Sequence, residues 1–206
     1  MARVSQEHLD ARRRQILDGA ARCFARNGFH ATSMQDVLTE VGLSAGAVYR
    51  YFSGKEELIA ANAAEAFTKI RAAFAEAADT TPPPTPDVLL GHVLGHVLQE
   101  EIPGGDRQAY ARLILQVWSE TLRNEELFQT LSDGYHGMRA AWGLLVDAYR
   151  ESGMMAADVP ADRVARTLIA TAQGYIAQQA LFGDVRVEVV QDGLRGLMSM
   201  RSQSAS

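Results

Sequence analysis

The strongest constraint on this chain is that almost every segment repeats its apolar residues at three- and four-residue spacing. Helix stops fall between those segments, and no alternating strand pattern competes except, weakly, Val185 to Val190. Ile16, Ala20 and Phe24, with Leu17 and Ala21 beside them, form one face of a first helix ending near Gly28. Ser33-Met34-Gln35-Asp36 is a capping-box pattern that opens a second helix through Val41. Gly42 stops it, and Ser44 caps a third helix over Ala45 to Tyr51. Ser53-Gly54-Lys55-Glu56 reads as another capping box, opening a long helix to about Ala78. The proline run before Pro86 is a connector, and Pro86 suits the first turn of a fifth helix to about Glu101. Further helices follow around Tyr110–Leu122, from Asn124 to the break near Gly153, over Ala161–Phe182, and over about Val187–Met200. The expected fold class is all-α, with about nine helices.

Within that pattern, Ser33 to Phe52 has the proportions of a helix-turn-helix: two short helices, a tight Gly turn, and a second helix able to enter a major groove. Val37, Leu38, Val41 and Leu43 pack the pair, and Val48 and Phe52 seat the third helix against Phe24. Small residues such as Ala45, Gly46 and Ala47 let that helix approach base edges. Tyr49, Tyr51 and Lys55 offer donors to phosphates, and Arg50 suits either a guanine edge or a phosphate. Charge agrees: residues 1–55 carry eight Lys/Arg against five Asp/Glu, and the rest twelve against twenty, for the net −5. A basic head on an acidic body implies that only the first quarter meets a polyanion.

Ile16, Ala20, Ala21, Phe24, Gly28, Thr32, Ser33, Val37, Gly42, Leu43, Ser44, Gly46, Val48, Tyr49, Tyr51, Phe52, Lys55, Glu56 and Leu58 together resemble the amino-terminal signature of TetR-family transcriptional regulators. The resemblance covers about residues 11 to 60; beyond it only the helical architecture matches. It implies a DNA-binding head (1–54) and a helical effector-binding and dimerisation body (55–206). It also implies a ligand-responsive homodimer, most simply a repressor on palindromic double-stranded operator DNA. Carried over, the DNA-contacting positions fall on Thr32, Ser33, Gln35, Ser44 and Ala45, and on Ala47, Tyr49, Arg50, Tyr51 and Lys55.

In the body, Phe128, Tyr135, Trp142 and Tyr149 recur every seven residues, with Leu131, Met138 and Leu145 between them. Such a stripe is either a bulky core or a cavity wall that stacks on a lipophilic or aromatic small-molecule effector. Phe67, Tyr110, Trp118 and Tyr175 stand on helices expected to converge there, and His96 and Gln178 are polar candidates for orienting the ligand. Ala165, Ile169, Ala172 and Ile176 on the eighth helix, with Val190, Leu194 and Leu197 on the ninth, make an association surface expected to form a four-helix bundle across a two-fold axis.

Other classes are weaker. No nucleophile–base pair, P-loop or metal motif emerges, so neither enzymatic activity nor a cofactor is expected. His92, His96 and Glu100 share a face at metal-compatible spacing but lack a further ligand, and a solvated face is the default. The lone Cys23 reads as a small core residue. The arginine-rich start and the lack of a long apolar run imply neither secretion nor membrane insertion, hence a cytoplasmic protein. The rival to a regulator is a helical small-molecule-binding protein or enzyme without a DNA role.

Overall fold

The structure, a computed structural model, describes residues 6–99, 106–156 and 158–200. Among them are nine helices and no strand: α1 Gln6–Asn27, α2 Met34–Val41, α3 Ala45–Tyr49, α4 Lys55–Ala78, α5 Pro86–Gln99, α6 Arg107–Glu120, α7 Glu125–Glu151, α8 Ala161–Phe182 and α9 Val187–Met198. The weak strand pattern at Val185–Val190 resolves into a short connector and the first turn of α9.

Local chemistry sets the helix ends. Gly28, at φ +82°, stops α1 where a side chain would be strained. Ser33 Oγ accepts from the Asp36 N–H at 3.2 Å, and the Asp36 carboxylate accepts the Ser33 N–H at 2.8 Å, completing the expected capping box. Hydrogen bonds from the Ser33 side chain, then its backbone, hold the Asp36 carboxyl below its ordinary range. The box expected at α4 is not formed. Gly54 is the N-cap without a side-chain bond, and Glu57 instead accepts the Ser53 N–H and hydroxyl at 2.7 and 2.9 Å. One residue of shift suffices, because Glu57 reaches back a full turn where Glu56 does not.

Two apolar clusters organise the chain. The first joins Ile16, Leu17, Ala20 and Phe24 of α1 to Val37, Val41, Val48 and Phe52. It continues into Leu58 and Ile59 of α4, Leu113 and Val117 of α6, and Leu127 of α7. The head is therefore packed onto the body rather than tethered to it. Cys23 is a buried member of this cluster; burial chiefly raises its thiol pKa, as expected of a core residue. The second cluster fills the body between α4, α5, α7 and α8, with Trp142 tilted against Phe74 at 4.7 Å between ring centroids.

The stripe assigned to association faces inward. Ala165, Ile169 and Ile176 are buried in the body cluster, and Ala172 packs against it; so do Val190 and Leu194 of α9, while only Leu197 of the set is largely exposed, at 66%. Helical spacing identifies an apolar stripe without saying which of two partners it meets. The bulkier stripe of Leu168 and Tyr175 is buried beside it, so the whole wide apolar face of α8 serves its own core. Facing outward instead are Ala170, Leu181 and Phe182 of α8 and Val189 and Leu197 of α9, with Met200 just beyond it. A Cβ at Gly174, Gly193 or Gly196 would meet open space.

Candidate nucleic-acid interface and ligand cavity

The head seats α3 on its apolar cluster through Val48 alone and turns the rest of this short helix toward solvent. Gly42 adopts φ +66°, and Ser44 Oγ accepts the Ala47 N–H at 3.4 Å to open α3. Val48 is the buried anchor of this five-residue helix. Ala45, Gly46, Tyr49 and Arg50 are exposed and Ala47 is half-buried, leaving a small-residue end beside an aromatic and cationic end. Arg50 has no hydrogen-bond or ion-pair partner among the described residues. Several other head cations are engaged: Arg22 and Arg26 both bind Glu40, at 2.8 and 3.1 Å, and Arg13 binds Glu65 at 2.9 Å. The two arginines, Arg22 first, pull the Glu40 carboxyl below its usual range.

Not every expected DNA position is open. Ser33 and Gln35 are exposed at the start of α2 and Ser44 at that of α3, while Tyr51 is half-buried against the head cluster. Thr32 is 1% exposed, its hydroxyl donating to the carbonyls of Gly28 and Cys23 at 2.8 and 3.2 Å. Lys55 Nζ lies 4.7 Å over the Phe29 ring and donates to the carbonyls of Phe29, His30 and Thr32 at 3.2, 3.4 and 3.4 Å. Both side chains brace the α1–α2 turn. The body braces that turn as well: Gln116 Oε1 of α6 accepts the Phe29 N–H at 2.8 Å, and Glu120 stands 3.6 Å from His30.

In the body a cavity of about 170 Å³ opens between α1, α4, α5, α6, α7 and α8. Five expected ligand residues line it: Phe67, Tyr110, Trp118, Tyr135 and Met138. Four do not. Phe128 is 46% exposed, Trp142 is core, Tyr175 is buried with its hydroxyl donating to the Val185 carbonyl at 3.1 Å, and Gln178 faces out. The side chain of His96 lies outside the described residues, as does all of Glu100. A seven-residue repeat drifts by about 20° per heptad around a straight helix. The aromatic row therefore rotates along α7: Phe128 meets solvent, Tyr135 the cavity, and Trp142 and Tyr149 the core. Tyr149 donates to the Pro84 carbonyl at 2.6 Å, and burial pushes its pKa up to about 12.

Sequence reasoning passed over the small residues that make room, Ala63 and Ala66 of α4 and Ala172 of α8, and the polar Asn62 and Gln173. Their signal was alanine at helical spacing beside aromatic positions. Gly134 permits the close α4–α7 contact on one side, since a Cβ there would collide with the Phe67 ring. Among the described residues no group of three or more His, Cys, Asp or Glu side chains could hold a metal ion, and no helix is long and apolar enough to cross a membrane.

Comparison with known proteins places this architecture. Residues 16–61 match the family model for bacterial regulatory proteins of the tetR family. The HTH-type transcriptional repressor Rv1474c of Mycobacterium tuberculosis is 46% identical over 65 residues, 32% of this chain and 35% of that protein. The match thus spans about a third of that relative's length. The HTH-type transcriptional repressor AcnR of Corynebacterium glutamicum is 25% identical over 179 residues, 82% of this chain and 81% of its own. Among solved structures, Salmonella enterica GusR superposes with a TM-score of 0.72 at 26% identity, covering 97% of this chain and 100% of its own. Residues 16–61 are thus similar to the head of bacterial regulatory proteins of the tetR family, and the fold of nearly the whole chain is similar to that of Salmonella enterica GusR.

Proposed function

We propose that the protein is a DNA-binding transcriptional repressor that acts as a two-fold dimer and leaves its operator when a small apolar effector fills the body cavity. The observation that carries this reading is the outward face of α3, with exposed small residues at its start and Tyr49 and the unpaired Arg50 at its end, on a head with net positive charge. A helix of this kind reads base edges, while cap residues such as Ser33 and Ser44 suit phosphates. The names of two relatives, both transcriptional repressors, support repression over activation.

Dimerisation is assigned to the outward faces of α8 and α9. The exposed Leu181, Phe182, Val189, Leu197 and Met200 form an apolar surface that a second copy would cover. Two α3 helices on one face of such a dimer would meet half-sites spaced by a duplex turn, about 34–36 Å, or a multiple of it. The effector acts only through its different affinity for the operator-competent and released states, and DNA must weaken ligand binding by the same factor. α4 and α6 both run from the head cluster to the cavity and are the candidate carriers of that coupling.

Selection from random duplexes tests the core of this reading. A pseudo-palindrome should be enriched, binding should fall steeply with salt, and Arg50→Ala should weaken it by about 1–3 kcal/mol if a base contact is lost. Recovery of no enriched duplex by the folded dimer would overturn the DNA role and favour a ligand-binding protein without one.

A further inference from the structure

The cavity has a composition and a size that narrow what it holds. None of its lining side chains is charged. Four aromatic rings (Phe67, Tyr110, Trp118, Tyr135) and aliphatic side chains of α4, α6 and α8 make most of the wall. Placing a carboxylate, phosphate or ammonium there would remove a charge from water without supplying a counter-ion, which proteins avoid at a cost far above ordinary binding energies. The volume of about 170 Å³ also sets a scale, since an apolar cavity of about 150 Å³ accommodates benzene.

Asn62 of the wall donates its amide N–H groups to the Leu17 and Leu58 carbonyls, at 3.4 and 3.1 Å; a pair of polar groups elsewhere in the wall bridges α7 and α8. The Tyr135 hydroxyl donates to Gln173 Oε1 at 3.4 Å, joining α7 to α8. That bond leaves the Tyr135 oxygen able to accept and the Gln173 Nε2 able to donate, and Nε2 has no partner among the described residues. A group that gives one hydrogen bond and takes another matches both atoms. A neutral hydroxyl does this; a carboxylate only accepts, and would face the tyrosine lone pair.

Resting on the reading of this cavity as the effector site, we propose that its ligand is an uncharged, single-ring lipophile carrying one hydroxyl, with the ring among Phe67, Tyr110 and Trp118 and the hydroxyl bridged between Tyr135 and Gln173. Gln173 is then the residue that separates hydroxylated from plain aromatic ligands. Ala172, one residue away on α8, sets the room available.

Three probes of one ring size test this on the full-length protein by calorimetric titration: p-cresol, toluene and 4-methylbenzoate at neutral pH. Saturable binding of p-cresol is expected, with toluene about five- to tenfold weaker, the factor for one net hydrogen bond, and no binding of 4-methylbenzoate. Gln173→Leu should lower p-cresol to the level of toluene while toluene itself changes little. Tyr135→Phe, which keeps the ring and its packing, should narrow the same gap and serves if the leucine variant fails to fold. Ala172→Leu should remove binding of both by filling the space. The proposal is overturned if wild type takes no p-cresol, if 4-methylbenzoate binds as tightly, or if p-cresol keeps its advantage in both Gln173→Leu and Tyr135→Phe. Operator binding read in parallel separates the two readings. Tight p-cresol binding with no change in duplex affinity would sink the effector role and leave the ligand class standing. Release from DNA by an anionic compound, with no p-cresol binding, would do the reverse.

Discussion

Asp87 illustrates how one residue couples distant parts of the chain. It stands in the first turn of α5, where its buried carboxylate meets the Arg195 guanidinium of α9 at 3.0 Å. Burial by itself would raise its pKa; hydrogen bonds from Thr85 and Arg195 outweigh that and hold it below the ordinary value. A carboxyl depressed in the folded state stabilises the protein above its unfolded pKa, about 3.9, and loses that contribution as pH falls through the lower folded value. Arg195→Ala should cost about 1–3 kcal/mol at pH 7 by stranding the carboxylate, and the difference from wild type should shrink below about pH 4. Thermal melts of both proteins across that range check it. Lys55 makes a second case. Its three bonds to turn carbonyls make it a brace, so Lys55→Met should lower the melting temperature of the unbound protein. A melting temperature equal to wild type, with DNA affinity alone reduced, would return Lys55 to the phosphate role its position in the family signature implies.

At the scale of elements, α6, like α4, joins the head cluster to the cavity wall. Its Ile114, Val117 and Trp118 line the cavity, while Gln116, between them, holds the Phe29 N–H on the turn that leads into α2. Adjacent helical residues point about 100° apart, so one rigid turn of α6 can face the ligand on one side and the head on another. The Gly28 turn leaves little slack there, because a Cβ on Gly28 would press on the Gln116 amide at 3.1 Å. Gln116→Leu should therefore reduce the coupling between ligand and operator by about 0.5–2 kcal/mol while barely altering ligand affinity. The ratio of duplex affinities with and without a bound ligand, compared between variant and wild type, measures it. An unchanged ratio would leave α4 as the carrier.

For the whole molecule, the proposed dimer turns on which apolar surfaces are left uncovered by the protomer's own core. Ile169 is 2% exposed inside the body cluster, so Ile169→Glu should unfold the protomer by burying an unpaired charge. Leu181 and Leu197, 65% and 66% exposed, lie on the outward faces. Leu181→Glu and Leu197→Glu should keep helical circular dichroism while lowering the solution mass from dimer to monomer by light scattering. Wild type running as a monomer at micromolar concentration would contradict the assembly. The apolar cluster that spans α1, α4 and α6 also means that a head cut at residue 54 loses the cover of Leu58, Ile59, Leu113 and Val117. An isolated 1–54 fragment should be far less stable than the head within the full chain.

Helix order, the α2 capping box, the Gly42 turn and the α3 cap were legible in the sequence, because each depends on residues within one or two turns of one another. So was the family signature, whose residues match type by type at fixed offsets from Ile16 to Leu58. What only the tertiary structure decided is direction: which face of α8 looks inward, where the α7 aromatic row rotates out of register, and that Thr32 and Lys55 turn back onto the backbone. Periodicity records that a residue is apolar and which neighbours share its face. It does not record the crossing geometry of the helices, and that geometry selects Tyr135 over Trp142 for the cavity and Leu197 over Ile169 for the surface.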